Sequence, residues 1–199
     1  MDVHGIILAG GAGQRLGSLS KADLRIQGQR LLDLVVAATV PLVTGRLVVV
    51  APATVTVATG VGQTLENPPL GGPLAGIDAG LRWLEQATQP GPDDLVAVLA
   101  VDTPAAQRLL PDLVAAARRT DGDGAVVVGG EPAPFVQHLQ ACYRFRALSQ
   151  VIAAAGPPRG LGVRRVLRRL RLVEIPQPAA ICRDLDTTAD LTYWQAGIG

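Results

Sequence analysis

Residues 95–101, Leu-Val-Ala-Val-Leu-Ala-Val, are seven apolar side chains in succession, and a carboxylate, Asp102, follows them directly. A strand sends successive side chains to opposite faces, so a run without polar alternation has to be covered on both. Sheets of parallel strands with helices on each side meet that condition. Residues 3–9, Val-His-Gly-Ile-Ile-Leu-Ala, form a second such run and stop at Gly10-Gly11. Helical spacing at 31–40 and proline-headed helices at 73–86 and 111–119 alternate with strand-like runs at 46–51, 124–128 and 172–175. Residues 135–143 read as another strand, 144–155 and 163–170 as helices, and 187–196 as a last helix. The alternation predicts an α/β chain of three layers around a mostly parallel sheet. With 199 residues, 48% of them hydrophobic, a single domain over 1–199 is expected.

Charge narrows the function classes. Eighteen basic against 17 acidic residues leave a net charge of +1, so no global field attracts nucleic acid or an anionic membrane, and phosphate recognition has to be local. The uncharged stretch 47–65 is broken by Pro52, Gly60, Gly62 and several threonines, which argues for strands and loops rather than a membrane span. Two cysteines, Cys142 and Cys182, are too few for a disulfide framework and read as small buried apolar residues. The first nine residues lack the basic flank and long apolar core of a signal peptide, so a cytoplasmic location is expected.

Ligands of open α/β sheets sit outside the carboxyl ends of the strands. At the first of these ends, Gly10, Gly11, Gly13 and Gly17 permit close backbone approach and can turn N–H groups toward an anion, to which Arg15 adds a charge. The spacing Gly11-x-Gly13-x-x-x-Gly17 misses the dinucleotide fingerprint, and no Gly-Lys-Ser/Thr follows as a P-loop requires. An ordinary βα turn is the alternative. Of the 18 basic residues only Lys21 is lysine, and its compact ammonium on a flexible stem suits a moving phosphate oxygen. Asp102, at the tip of its apolar strand, suits a hard divalent ion bridging phosphate oxygens, or equally an N-cap in Asp-Thr-Pro.

Taken in order, these pieces resemble one family. Leu8-Ala9-Gly10-Gly11-x-x-x-Arg15-Leu16-Gly17, Lys21-Ala22-x-Leu24, Gly72-Pro73-Leu74-Ala75-Gly76, Val101-Asp102-Thr103-Pro104 and the segment Asp184 to Leu191 resemble motifs of the MobA-type molybdenum cofactor guanylyltransferases, nearly end to end. The resemblance implies a Rossmann-like nucleotidyltransferase that joins GMP from GTP to the terminal phosphate of molybdopterin and releases pyrophosphate. It implies Mg2+ held by Asp102, with Arg15, Lys21 and Asp102 as the catalytic set. Leu8, Ala9 and Gly10 would line the base and ribose. Gly11, Ala12, Gly13 and Arg15 would hold the triphosphate, and Lys21 would reach toward its reacting end. Gly72 and Gly76 would complete the nucleotide site. A transient contact with a molybdenum insertase or an apo-molybdoenzyme is the implied protein partnership.

The chain departs from the family pattern at several points. Ser20 stands where an acid usually precedes the lysine, Ala51-Pro52 where an asparagine is common, and Asn67 where Glu-Asp would place a guanine-reading carboxylate. Asp184 and Asp186 replace asparagines; capping of the last helix is the favoured reading for them, a second metal position the other. These changes leave room for a nucleotide-binding paralogue without turnover, for transfer from CTP, or for another phosphate acceptor. His138, alone on one face of its strand, reads as structural. The run Arg164, Arg165, Arg168, Arg169 and Arg171 reads as a solvated face, with reception of the pterin phosphate as the alternative.

Overall fold

The computed structural model describes residues 1–10 and 20–197. Its main sheet has seven strands. In chain order these are β1 (Val3–Leu8), β4 (Leu47–Val50), β5 (Gly62–Thr64), β6 (Leu95–Ala100), β7 (Gly124–Gly129), β8 (Phe135–Arg144) and β9 (Leu172–Pro176). A small antiparallel hairpin of β2 (Arg25–Ile26) and β3 (Gln29–Arg30) lies between the first two. The spatial order is β5-β4-β1-β6-β8-β7-β9. The pairs β5–β4, β4–β1, β1–β6 and β7–β9 run parallel, and β8 alone is antiparallel to its two neighbours.

The helices are α1 (Leu31–Thr39), α2 (Pro73–Thr88), α3 (Leu110–Arg119), α4 (Phe145–Ala154), α5 (Val163–Leu167) and α6 (Thr188–Gln195). They cover the sheet on both faces, as the unbroken apolar runs require. Leu95, Ala97, Leu99 and Val101 pack with α1 and α3 on one side, and Val96 and Val98 pack with α2, α4 and α5 on the other. All six residues of β6 are buried. The protein is thus a three-layer α/β fold with a mostly parallel sheet. Cys142 and Cys182 are free and buried, and no helix among the described residues is long and apolar enough to cross a membrane.

Two local expectations are corrected. The basic helix expected over 163–170 ends at Leu167, and tight turns follow, with Arg169 N–H donating to Val166 and Leu170 N–H to Leu167. Arg164/Arg168 and Arg165/Arg169 are like-charged pairs four apart, which weakens a longer helix. Neither Asp184 nor Asp186 caps α6. Thr187 does so, its hydroxyl accepting from Asp190 N–H while the Asp190 carboxylate accepts from Thr187 N–H, a reciprocal pair that satisfies two free donors. The short edge strand β5 falls within the 47–65 stretch of strands and loops, and the hairpin β2–β3 carries no apolar run that marks it in the sequence.

Candidate active site

The carboxyl ends of β1 and β6 lie side by side, with Leu8 paired to Ala100. Asp102 leaves the end of β6, and the single lysine approaches it from the 3₁₀ turn Lys21–Asp23. Lys21 Nζ donates to Asp102 Oδ2 at 2.7 Å and to Asp186 Oδ1 at 2.5 Å, joining positions 81 and 165 residues away in sequence. Leu185 N–H donates to the Asp102 carbonyl at 2.8 Å, which ties the C-terminal segment to the end of β6 and holds Asp186 in reach. Burial pulls the ammonium down, but the two carboxylate hydrogen bonds outweigh it, and the Lys21 pKa lies above the ordinary lysine value.

Negative charge still exceeds positive here. Asp184 keeps an open surface, yet desolvation by the protein around it, followed by the charges of Asp102 and Asp186, pushes its carboxyl up to about 6. Among the described residues no group of three or more His, Cys, Asp or Glu side chains is arranged as a ready metal cage. Magnesium does not need one, because it takes one or two carboxylates and leaves other positions to water and phosphate. Asp102 and Asp186, which converge on one cationic point, fit that habit.

Beside this cluster lies a cleft of about 320 Å3 whose lining includes Leu8, Gly10, Lys21, Gly72, Gly76 and Asp102. Six of the residues singled out in the sequence therefore share one cavity. Two glycines shape its wall. Gly72, which precedes α2, has φ +89°, a conformation open to glycine. A Cβ on Gly76 would stand 3.1 Å from Leu8 Cδ2 and 3.6 Å from Val50 Cγ1, so the missing side chain lets α2 lie close on β1 and β4. Ala9 is buried beneath the cleft and its N–H donates to Val50. Gly11, Ala12, Gly13 and Arg15 lie outside the described residues.

Asn67 is placed elsewhere. It is exposed and lines a neighbouring groove with Trp83 and Arg159, whereas Glu66 lines both that groove and the cleft and accepts from Gly71 N–H at 3.2 Å. Several contributors had no clear signal in the sequence. Leu70, 75% exposed with φ +62°, stands at the cleft. Arg159 Nη1 donates to the carbonyls of Pro68 and Pro69 at 3.0 and 3.1 Å and so braces the loop that carries Glu66 and Leu70. In the sequence Asp186 stands out only as a substituted position, because its partnership with Lys21 depends on chain closure that no local pattern encodes. His138 is buried, as a structural histidine would be, and its Nδ1 stands 3.4 Å from the Tyr143 hydroxyl. Ala51 is in the core rather than on the cleft.

Comparison with known proteins places this geometry. Residues 5–179 match the MobA-like NTP transferase domain. A molybdenum cofactor guanylyltransferase of Acidiphilium cryptum is 32% identical over 98% of this chain and 95% of its own. Two solved structures share the fold. Molybdopterin-guanine dinucleotide biosynthesis protein A of Archaeoglobus fulgidus has a TM-score of 0.66 at 19% identity, covering 97% of each chain. The 2-C-methyl-D-erythritol 4-phosphate cytidylyltransferase of Thermus thermophilus has a TM-score of 0.71 at 21% identity, covering 98% of each. With a family match over most of its length and a relative aligned almost end to end, the chain belongs to the MobA-like NTP transferases.

Proposed function

We propose that this protein is a molybdenum cofactor guanylyltransferase, which transfers GMP from GTP to the terminal phosphate of molybdopterin and releases pyrophosphate. The observation that carries the reading is the meeting of Lys21, Asp102 and Asp186 beside the cleft at the ends of β1 and β6, in a chain of this family. An oxygen of the acceptor phosphate attacks the α-phosphorus. The bond from the α-phosphorus to the α–β bridging oxygen breaks, and its electron pair leaves with pyrophosphate. The nucleophile is already an anion, so no general base is required, which fits a site without a Ser/His or Cys/His pair among its described residues. Lys21 neutralises charge gathering on the transferring phosphates, and the cleft holds the nucleoside in line for displacement. Asp102 and Asp186 would hold Mg2+, which supplies charge neutralisation at the phosphate oxygens.

Pyrophosphate release from GTP, measured with and without purified molybdopterin, tests the reading. Release that requires the acceptor, and that is lost with ATP or CTP, is expected. Binding of GTP without any release would instead make the chain a nucleotide-binding relative, and faster release with CTP would reassign the donor.

A further inference from the structure

Among the described residues, Gln27, Leu70 and Gln89 carry a positive φ without being glycine. Two of them have a local reason. Gln27 makes the two-residue turn between β2 and β3 with Gly28, where such angles match the twist of the strands, and Gln89 is the left-handed residue that closes α2. Leu70 ends no helix and turns no hairpin, and its bulky side chain suits a φ of +62° poorly. At 75% it is also the most exposed large apolar side chain among the described residues. A single exposed leucine is ordinary on a protein surface. Here, however, exposure and an unfavourable backbone angle fall on one residue, and that residue lines the nucleotide cleft.

The conformation is not slack. Arg159 Nη1 holds the carbonyls of Pro68 and Pro69, Gly71 N–H donates to the Glu66 carboxylate, and Gly160 N–H donates to the Gly71 carbonyl at 2.8 Å. The residues on either side of Leu70 are therefore tied, and their ties impose its backbone angle. Strain that persists because its surroundings over-determine it is characteristic of ligand clamps. The position is also telling. The loop 66–72 follows β5, and β5 and β4 lie on the opposite side of β1 from β6, which delivers Asp102. A nucleotide whose phosphates meet Lys21 and Asp102 thus extends its base toward Val50, Pro73 and Leu70.

We infer that Leu70 contacts the substrate in this cleft, its side chain covering one face of the nucleotide base and the braced loop holding it there before the nucleotide arrives. The inference rests on the proposed guanylyl transfer and adds to it a base contact that none of the sequence motifs carries. Covering the base removes from water an apolar surface that the free protein leaves exposed. Because the loop is already fixed, little ordering cost is added on binding. An apolar side chain has no donor or acceptor, so this contact strengthens the hold on guanine and adenine alike and leaves the choice between them to polar groups.

Leu70→Asn is the test, since asparagine accepts a positive φ readily and removes the apolar cover. GTP, ATP and inorganic tripolyphosphate are titrated, each with magnesium, into the whole protein. The variant should bind GTP and ATP more weakly by a common factor of about ten. Its affinity for tripolyphosphate should stay unchanged, and its melting temperature should equal or exceed that of wild type because the strained leucine is gone. Leu70→Met, which keeps an apolar reach, should retain most of the GTP affinity. Wild-type GTP affinity in Leu70→Asn, an equal loss for tripolyphosphate, a loss confined to one purine, or a melting temperature lower by several degrees would each overturn the inference. An unchanged GTP KM in Leu70→Asn, with guanylyl transfer intact, would end it while the guanylyl reading stands. The expected losses of GTP and ATP affinity, in a protein that releases no pyrophosphate with molybdopterin, would end the guanylyl reading and leave Leu70 on the base.

Discussion

Lys21 is the residue on which the site closes. Two carboxylates from distant parts of the chain meet its ammonium, so its removal leaves like charges facing each other. Lys21→Met should therefore lose turnover by about a hundred-fold or more and also lower stability. Adding Asp186→Asn should recover part of that stability but no activity. Asp186 is half exposed, at 49%, so solvent screening limits the coupling in a double-mutant cycle to about 0.5–1 kcal/mol. Additive denaturation midpoints for the two substitutions would show that the contact is not energetically real. Asp102 offers a second test. Asp102→Asn keeps the size and the fold but removes a charge, and magnesium dependence of nucleotide binding should weaken with it, as calorimetric titration would reveal. Equal magnesium dependence in both forms would remove Asp102 from the metal site.

At the scale of elements, the apolar runs were legible because burial on both faces admits no polar alternation, and β1 and β6 lie where those runs are. The capping of α6 shows the limit of that reading. Asp184, Asp186, Thr187 and Asp190 are all plausible caps in sequence, and only the chain path decides that Thr187 and Asp190 perform the task while Asp186 turns to Lys21. Thr187→Ala should cost about 1 kcal/mol, read from urea denaturation. Near-zero cost would mean that the packing of Trp194 holds the helix without its cap. The opposite end of β1 carries a pH test. Burial lowers the His4 pKa, against the opposing charges of Asp94 and Asp2, while the Arg46 N–H donates to its Nδ1. A histidine held neutral in the fold gains its proton more readily when unfolded. Its contribution is present above the unfolded value near 6.5 and is lost as pH falls through and below it. Compared with His4→Gln, wild type should lose stability faster between about pH 7 and 5. Parallel curves for the two proteins would contradict the neutral assignment.

Across the whole molecule, the sheet gathers onto one edge what the sequence scatters. The parallel strands β1, β4 and β6 all end at the cleft, so Leu8, Val50 and Asp102 meet there without being near one another in the chain. Fold class and the Lys21–Asp102 neighbourhood could be read from composition, periodicity and motif order. The antiparallel course of β8 could not, because an apolar strand carries no mark of its direction. Its slipped register on β7 follows from pairing geometry alone. Asn67 and Glu66 differ by one position along the chain, yet Glu66 lines both the cleft and the neighbouring groove while Asn67 lines the groove alone, in a loop that Arg159 braces before α2.

The most direct measurement of the central claim is mass analysis of the products formed from GTP, magnesium and molybdopterin by the purified protein. The account predicts a guanylylated pterin, with GMP joined through the terminal phosphate, and pyrophosphate in equal amount. Pyrophosphate without the joined product, or intact GTP after prolonged incubation with active acceptor, would contradict it.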